Sequence, residues 1–131
     1  MSAWPVLVTL GALLFYFWTS MQVGGARRKY NIPAPAVSGN ADFERVFRVQ
    51  MNTLEWLPLF LGSLWIFTMY WDDRVAALIG AVWIVGRALY AHGYAAAADQ
   101  RSTGFMIQGI AVIVLFVGGL VGAVMSLFGA T

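Results

Sequence analysis

The chain is 131 residues long, 60% hydrophobic and only 11% charged, with a mean hydropathy of +0.73. Soluble domains carry roughly 25% charged residues, so this composition excludes a water-soluble globule, and its apolar content excludes a disordered chain. A net charge of +2 from eight basic and six acidic residues is too little for a phosphate-tracking surface, so no nucleic-acid partner is expected. With no cysteine, there is no disulfide framework, thiolate metal site or protein thiol nucleophile.

Residues 1–26 carry no charge, and their apolar run matches the about 20 residues a spanning helix needs. A first membrane helix is expected over residues 3–24. The run is too long for a signal-peptide h-region and lacks a preceding positive segment, so it is expected to be retained rather than cleaved. Gly24 and Gly25 are expected to end it, before Arg27, Arg28 and Lys29 and a loop marked by Pro33, Pro35, Ser38 and Gly39. A second helix over 42–71 begins near Asn40 or Asp42, either of which can cap it, and turns apolar from Trp56 to Trp71. Its polar first turns are expected to project from the membrane, with the rest spanning. Asp72, Asp73 and Arg74 make a short turn, so a third helix over 75–98 returns antiparallel, ending near Asp99, Gln100 and Arg101. Residues 102–131 are again uncharged, and 103–128 supply a fourth span in which Gly118 and Gly122 allow close helix packing. The expectation is an all-α, integral membrane four-helix bundle forming a single domain over 1–131.

Orientation follows from the basic residues. Arg27, Arg28, Lys29, Arg45, Arg48 and Arg101 fall on the side of the first and third connections, whereas Arg74 stands alone on the other. That side is expected to be cytoplasmic, with both termini opposite.

Charges in or near a bilayer are expensive, so their spacing is informative. Arg45, Arg48, Asn52 and Glu55 share one helical face, as do Arg87, Tyr90 and Tyr94 on the next helix, with Arg101 beyond them. Pro58 removes the hydrogen bond to the Leu54 carbonyl and is expected to bend the helix near Glu55. Such a stripe suits a small ligand bearing carboxylates and an amine. Guanidinium forks bind carboxylates, Asn52 donates and accepts, and Glu55 can hold an ammonium. Taken singly, Arg45 and Arg48 also suit the solvated start of a helix, and Arg87 suits a neutralising partner for Glu55. Trp4, Trp18, Tyr70 and Trp71 read as interfacial belt residues. The lone His92 is too few for a histidine metal site, and no metal is expected.

The run from Phe43 to Glu55 followed by Pro58, with Arg27-Arg28 upstream and Arg87, Tyr90, Gly93-Tyr94 and Arg101 downstream, resembles the membrane-associated proteins in eicosanoid and glutathione metabolism. The branch it is most similar to contains leukotriene C4 synthase and microsomal glutathione transferases two and three. The resemblance implies a homotrimer with glutathione bound as substrate between neighbouring subunits on the cytoplasmic side. It implies that Arg27, Arg48, Gln50, Asn52, Glu55, Tyr90 and Tyr94 hold glutathione, that Arg101 stabilises its thiolate, and that Arg28 assists a lipophilic second substrate arriving from membrane lipid. The implied activity is a detoxifying glutathione transferase, a glutathione-dependent peroxidase, or both. Trp56 stands where the family has tyrosine, exchanging a hydroxyl for an indole N–H. The same family includes the five-lipoxygenase-activating protein, which presents lipid without conjugating it; Arg48 and Arg101 favour the enzyme branch. A small multidrug transporter, built around a glutamate in its first helix, is disfavoured by a first helix without charge.

Overall fold

A computed structural model describes residues 2–97, 99 and 101–129, and contains four long helices: α1 (Trp4–Tyr30), α2 (Ala41–Tyr70), α3 (Asp73–Ala96) and α4 (Ser102–Leu127). Each start has a local cause. Pro5 occupies the first turn of α1, where its missing N–H costs nothing. Asn40 caps α2 by accepting from the Phe43 N–H at 3.0 Å, and Asp72 caps α3 by accepting from the N–H groups of Arg74 and Val75. The expected end of the third helix at Ala98, Gln100 beside it, and the chain ends at Met1, Ala130 and Thr131 lie outside the described residues.

One expected boundary moves. Gly24 and Gly25 do not break α1, which continues to Tyr30 and closes on Asn31 in the left-handed conformation (φ 56°). A helical glycine costs about 1 kcal/mol, an amount tertiary packing can offset. Here Val23 and Ala26 are buried against Ile32 and Phe43, and Arg27, Arg28 and Lys29 complement the negative end of the helix dipole.

Alternate helices run in opposite directions. At one end of the bundle Ser2 N–H meets the Asp73 carboxylate at 2.7 Å, and Trp71 Nε1 donates to the Gly118 carbonyl at 2.7 Å, bringing together the starts of α1 and α3 and the later turns of α2 and α4. The other end therefore holds the basic end of α1, the polar start of α2, the end of α3 and the start of α4. The core gathers Ala12 from α1, Leu57, Phe60 and Leu64 from α2, Trp83 from α3, and Val112 and Leu115 from α4, with Phe60 stacked on Trp83 at 4.0 Å between ring centroids. Gly118 and Gly122 face Phe67 and Tyr70, so their close packing joins α4 to α2 within one subunit.

Among the described residues, three helices are long and apolar enough to cross a membrane: Trp4–Tyr30, Asp73–Tyr94 and Ser102–Leu127. Only 17%, 44% and 28% of their most apolar windows are buried inside the subunit, leaving broad apolar faces such as that of Met106, Ile110 and Ile113 uncovered. The apolar part of α2, from Trp56 to Tyr70, extends about 22 Å, short of an about 30 Å hydrocarbon core. Its missing length is the polar half that builds the site.

Candidate functional site

At the basic end of the bundle a cleft of about 720 Å³ opens between α2, α3 and the start of α4. Arg48 and Asn52 enter it from α2, Tyr90 and Tyr94 from α3, and Arg101, Ser102, Phe105 and Met106 from the first turns of α4. Helical spacing explains the first four, because residues four apart lie one above the other on a face. Arg101 is the N-cap of α4, and its guanidinium lies 5.5 Å from the centroid of the Tyr94 ring. The cleft thus combines two guanidinium groups and the positive end of the α4 dipole with the apolar side chains of Phe105 and Met106. An anionic, partly apolar ligand suits those walls.

Five of the nine residues expected at the site converge here: Arg48, Asn52, Tyr90, Tyr94 and Arg101. The other four lie on other surfaces of the same chain. Arg27 and Arg28 border a second depression with Asn31, Ile32 and Pro33. Within it Arg27 Nη1 donates to the carbonyls of Ala36 (2.7 Å) and Ile32 (3.3 Å), and its guanidinium lies over Phe43, which organises the loop. Gln50 turns toward α1, donating to Ser20 Oγ at 2.9 Å, and Glu55 is exposed on the outer surface of α2. Arg45, expected on the polar stripe, pairs with Asp42 one turn earlier.

The sequence left Ser102, Phe105 and Met106 unassigned, although Phe105 stands one turn after Arg101 and could have been found by that spacing. Trp56 has a clear place: its ring meets Phe105 edge-on at 5.6 Å, so it packs against the apolar wall of the cleft. Two glycines bring α3 and α4 together beneath the cleft. A Cβ on Gly104 would lie 2.1 Å from the Tyr90 backbone nitrogen, and one on Gly86 would lie 2.6 Å from that of Gln108. Arg87 makes no direct ion pair with Glu55, although the two charges interact at longer range. It is fully buried and donates to Asn52 Oδ1 at 2.8 Å and Thr53 Oγ1 at 2.7 Å.

A chain whose described residues form four helices, three of them apolar spans, with a cationic cleft at one end, has the architecture of an integral membrane protein. Residues 5–121 match the MAPEG family, and the chain belongs to it. An uncharacterized protein of Synechocystis sp. is 50% identical over 117 residues, covering 89% of this chain and 85% of that protein. Human microsomal glutathione S-transferase 2 is 44% identical over 102 residues, covering 77% of this chain and 69% of its own. Mouse leukotriene C4 synthase is 42% identical over 96 residues, covering 73% and 64%.

Proposed function

We propose that this protein is a membrane glutathione transferase, with glutathione-dependent peroxidase activity where the acceptor is a lipid hydroperoxide. The observation that carries this reading is the convergence of Arg48, Asn52, Tyr90, Tyr94 and Arg101, from three helices, on one cleft. The transferase named among its relatives supports the reading. A free thiol has a pKa of about 8.5 and is mostly protonated at neutral pH. A guanidinium beside the sulfur favours the thiolate, which is the nucleophile. In this reading Arg101 stabilises that thiolate, while Arg48, Asn52, Tyr90 and Tyr94 hold the tripeptide. The thiolate then attacks a lipophilic electrophile or hydroperoxide entering from lipid past Phe105 and Met106, with Arg28 assisting the second substrate. No metal takes part.

The reading extends to assembly and orientation. In a homotrimer, Arg27, Arg28, Gln50 and Glu55 complete the ligand's surroundings at the boundary between subunits. The basic end faces the cytoplasm and both termini face away, following the positive-inside distribution. A role in detoxification follows from the chemistry of the electrophiles.

The deciding experiment is ultraviolet difference absorbance at the thiolate band while glutathione is titrated into detergent-purified protein at neutral pH, beside Arg101→Ala. A saturable thiolate signal that disappears in the variant is the expected result. Binding without thiolate would instead indicate a lipid-presenting relative that does not conjugate, and absence of binding would overturn the glutathione reading.

A further inference from the structure

Beneath the cleft lies a guanidinium that does not line it. Arg87 is 0% exposed, and no carboxylate among the described residues pairs with it. A buried charge is costly unless its hydrogen bonds are well made, so its partners carry information. Those partners are two consecutive residues of α2: Nη1 donates to Asn52 and Nη2 to Thr53. The Thr53 hydroxyl spends its own proton on the Val49 carbonyl at 2.7 Å, leaving a lone pair for Arg87. The same guanidinium lies 4.5 Å from the centroid of the Tyr90 ring.

The donor set fixes an orientation. Arginine has five N–H donors and no acceptor, so the Asn52 atom it meets is the amide oxygen. Asn52 is also a wall residue of the cleft. With Oδ1 held by Arg87, the Asn52 amide is fixed in one orientation, and its Nδ2 group, which can only donate, is the end not engaged by Arg87.

We infer that Arg87 is a positioning residue: its fork clamps the Asn52 carbonyl and so makes Asn52 a fixed donor to a carboxylate or peptide carbonyl of the bound thiol. This rests on the glutathione reading of the cleft and adds to it the polarity of one contact and the residue that sets it. Lysine, whose three donors share one nitrogen, lacks the two separated nitrogens with which Arg87 reaches Asn52 and Thr53. A freed Asn52 amide rotates between donor and acceptor, and the oriented contact is lost.

The test is a double-mutant cycle on the full chain in detergent, with glutathione affinity read by calorimetry. Arg87→Lys is expected to weaken binding about tenfold, the scale of one oriented hydrogen bond. In an Asn52→Ala background the same change is expected to cost nothing further, because its effect passes through Asn52. The pH at which the bound thiol ionises stays the same in Arg87→Lys, since Arg101 is untouched. Additive losses, wild-type affinity in Arg87→Lys, or a displaced thiol ionisation would each overturn the inference. If Arg87→Lys does not fold, Thr53→Val removes one acceptor of the fork outside the cleft. It is expected to give a smaller loss that also vanishes with Asn52→Ala, and an unchanged affinity in Thr53→Val would overturn the inference. If the wild-type protein itself binds no glutathione, the functional reading fails with the inference, an outcome the unmodified protein alone identifies.

Discussion

At Gly104 the space for a side chain is already occupied by backbone. A methyl there would lie 2.1 Å from the Tyr90 nitrogen and 2.7 Å from the Gly86 carbonyl oxygen. Neither neighbour is a side-chain tip that can swing aside, so α3 and α4 must separate. Overpacking a core costs about 1–3 kcal/mol when side chains can give, and the expected cost of Gly104→Ala is at or above the top of that range. Gly109, one turn along the same helix, has nothing within 4 Å of the corresponding position. Gly109→Ala is expected to be neutral or stabilising by up to about 1 kcal/mol, since alanine is the better helix former. Thermal unfolding of the two variants in detergent, followed by circular dichroism, checks the contrast. Equal stability would show that α3 and α4 do not approach as closely as described. Because Tyr90 lines the cleft, Gly104→Ala is further expected to weaken glutathione binding, whereas Gly109→Ala leaves it near wild type.

Among the elements, α2 brings Arg48 and Asn52 to the cleft, and its polar start is held by local bonds. Asn40 accepts from Phe43 N–H, and Glu44 reaches back to accept from Gly39 N–H at 3.1 Å, so two otherwise orphaned donors are satisfied. Removing the Asn40 cap is expected to cost about 1 kcal/mol. That loss should fall on the first turns of α2, ahead of the apolar segment. Hydrogen exchange in Asn40→Ala is expected to speed up at residues 41–46 while Phe60 to Phe67 stay protected, and uniform acceleration would argue against an independently held start. The cap, the polar stripe and the apolar run were all readable in the sequence, because each depends on residues within a turn or two of one another. What escaped it depends on neighbours distant in sequence. The continuation of α1 through Gly24 and Gly25 comes from Val23 and Ala26 packing toward Phe43. The target of Arg87 is set by the register of α3 against α2, and the partner of Gly104 by its register against α3. Arg45 is the local exception: its helical face assigned it to the stripe, but it pairs with Asp42 three residues earlier.

The molecule as a whole places one family's worth of site residues on separate surfaces. Arg101 lies in the cleft between α2, α3 and α4, whereas Arg28 borders the depression beyond the end of α1. A single subunit therefore holds the residues proposed for the site in two separate groups at the same end of the bundle, and large apolar faces of α1 and α4 are uncovered beside them. The sequence could name these residues but not their separation, since spacing along one helix does not say which surface of the folded chain each residue reaches. If the two groups meet across a boundary between neighbouring subunits, two inactive proteins should repair each other. In a ring assembled from equal amounts of Arg101→Ala and Arg28→Ala chains, a site joining Arg101 of one subunit to Arg28 of the next is intact at about a quarter of the boundaries. Chains co-expressed with two different affinity tags and purified through both form mixed trimers, each with one intact boundary in three, so about a third of wild-type conjugation is expected to return, while each variant alone stays near background. If the mixed assembly does no better than the mean of its components, both arginines serve a site within one subunit, or Arg28 acts outside it.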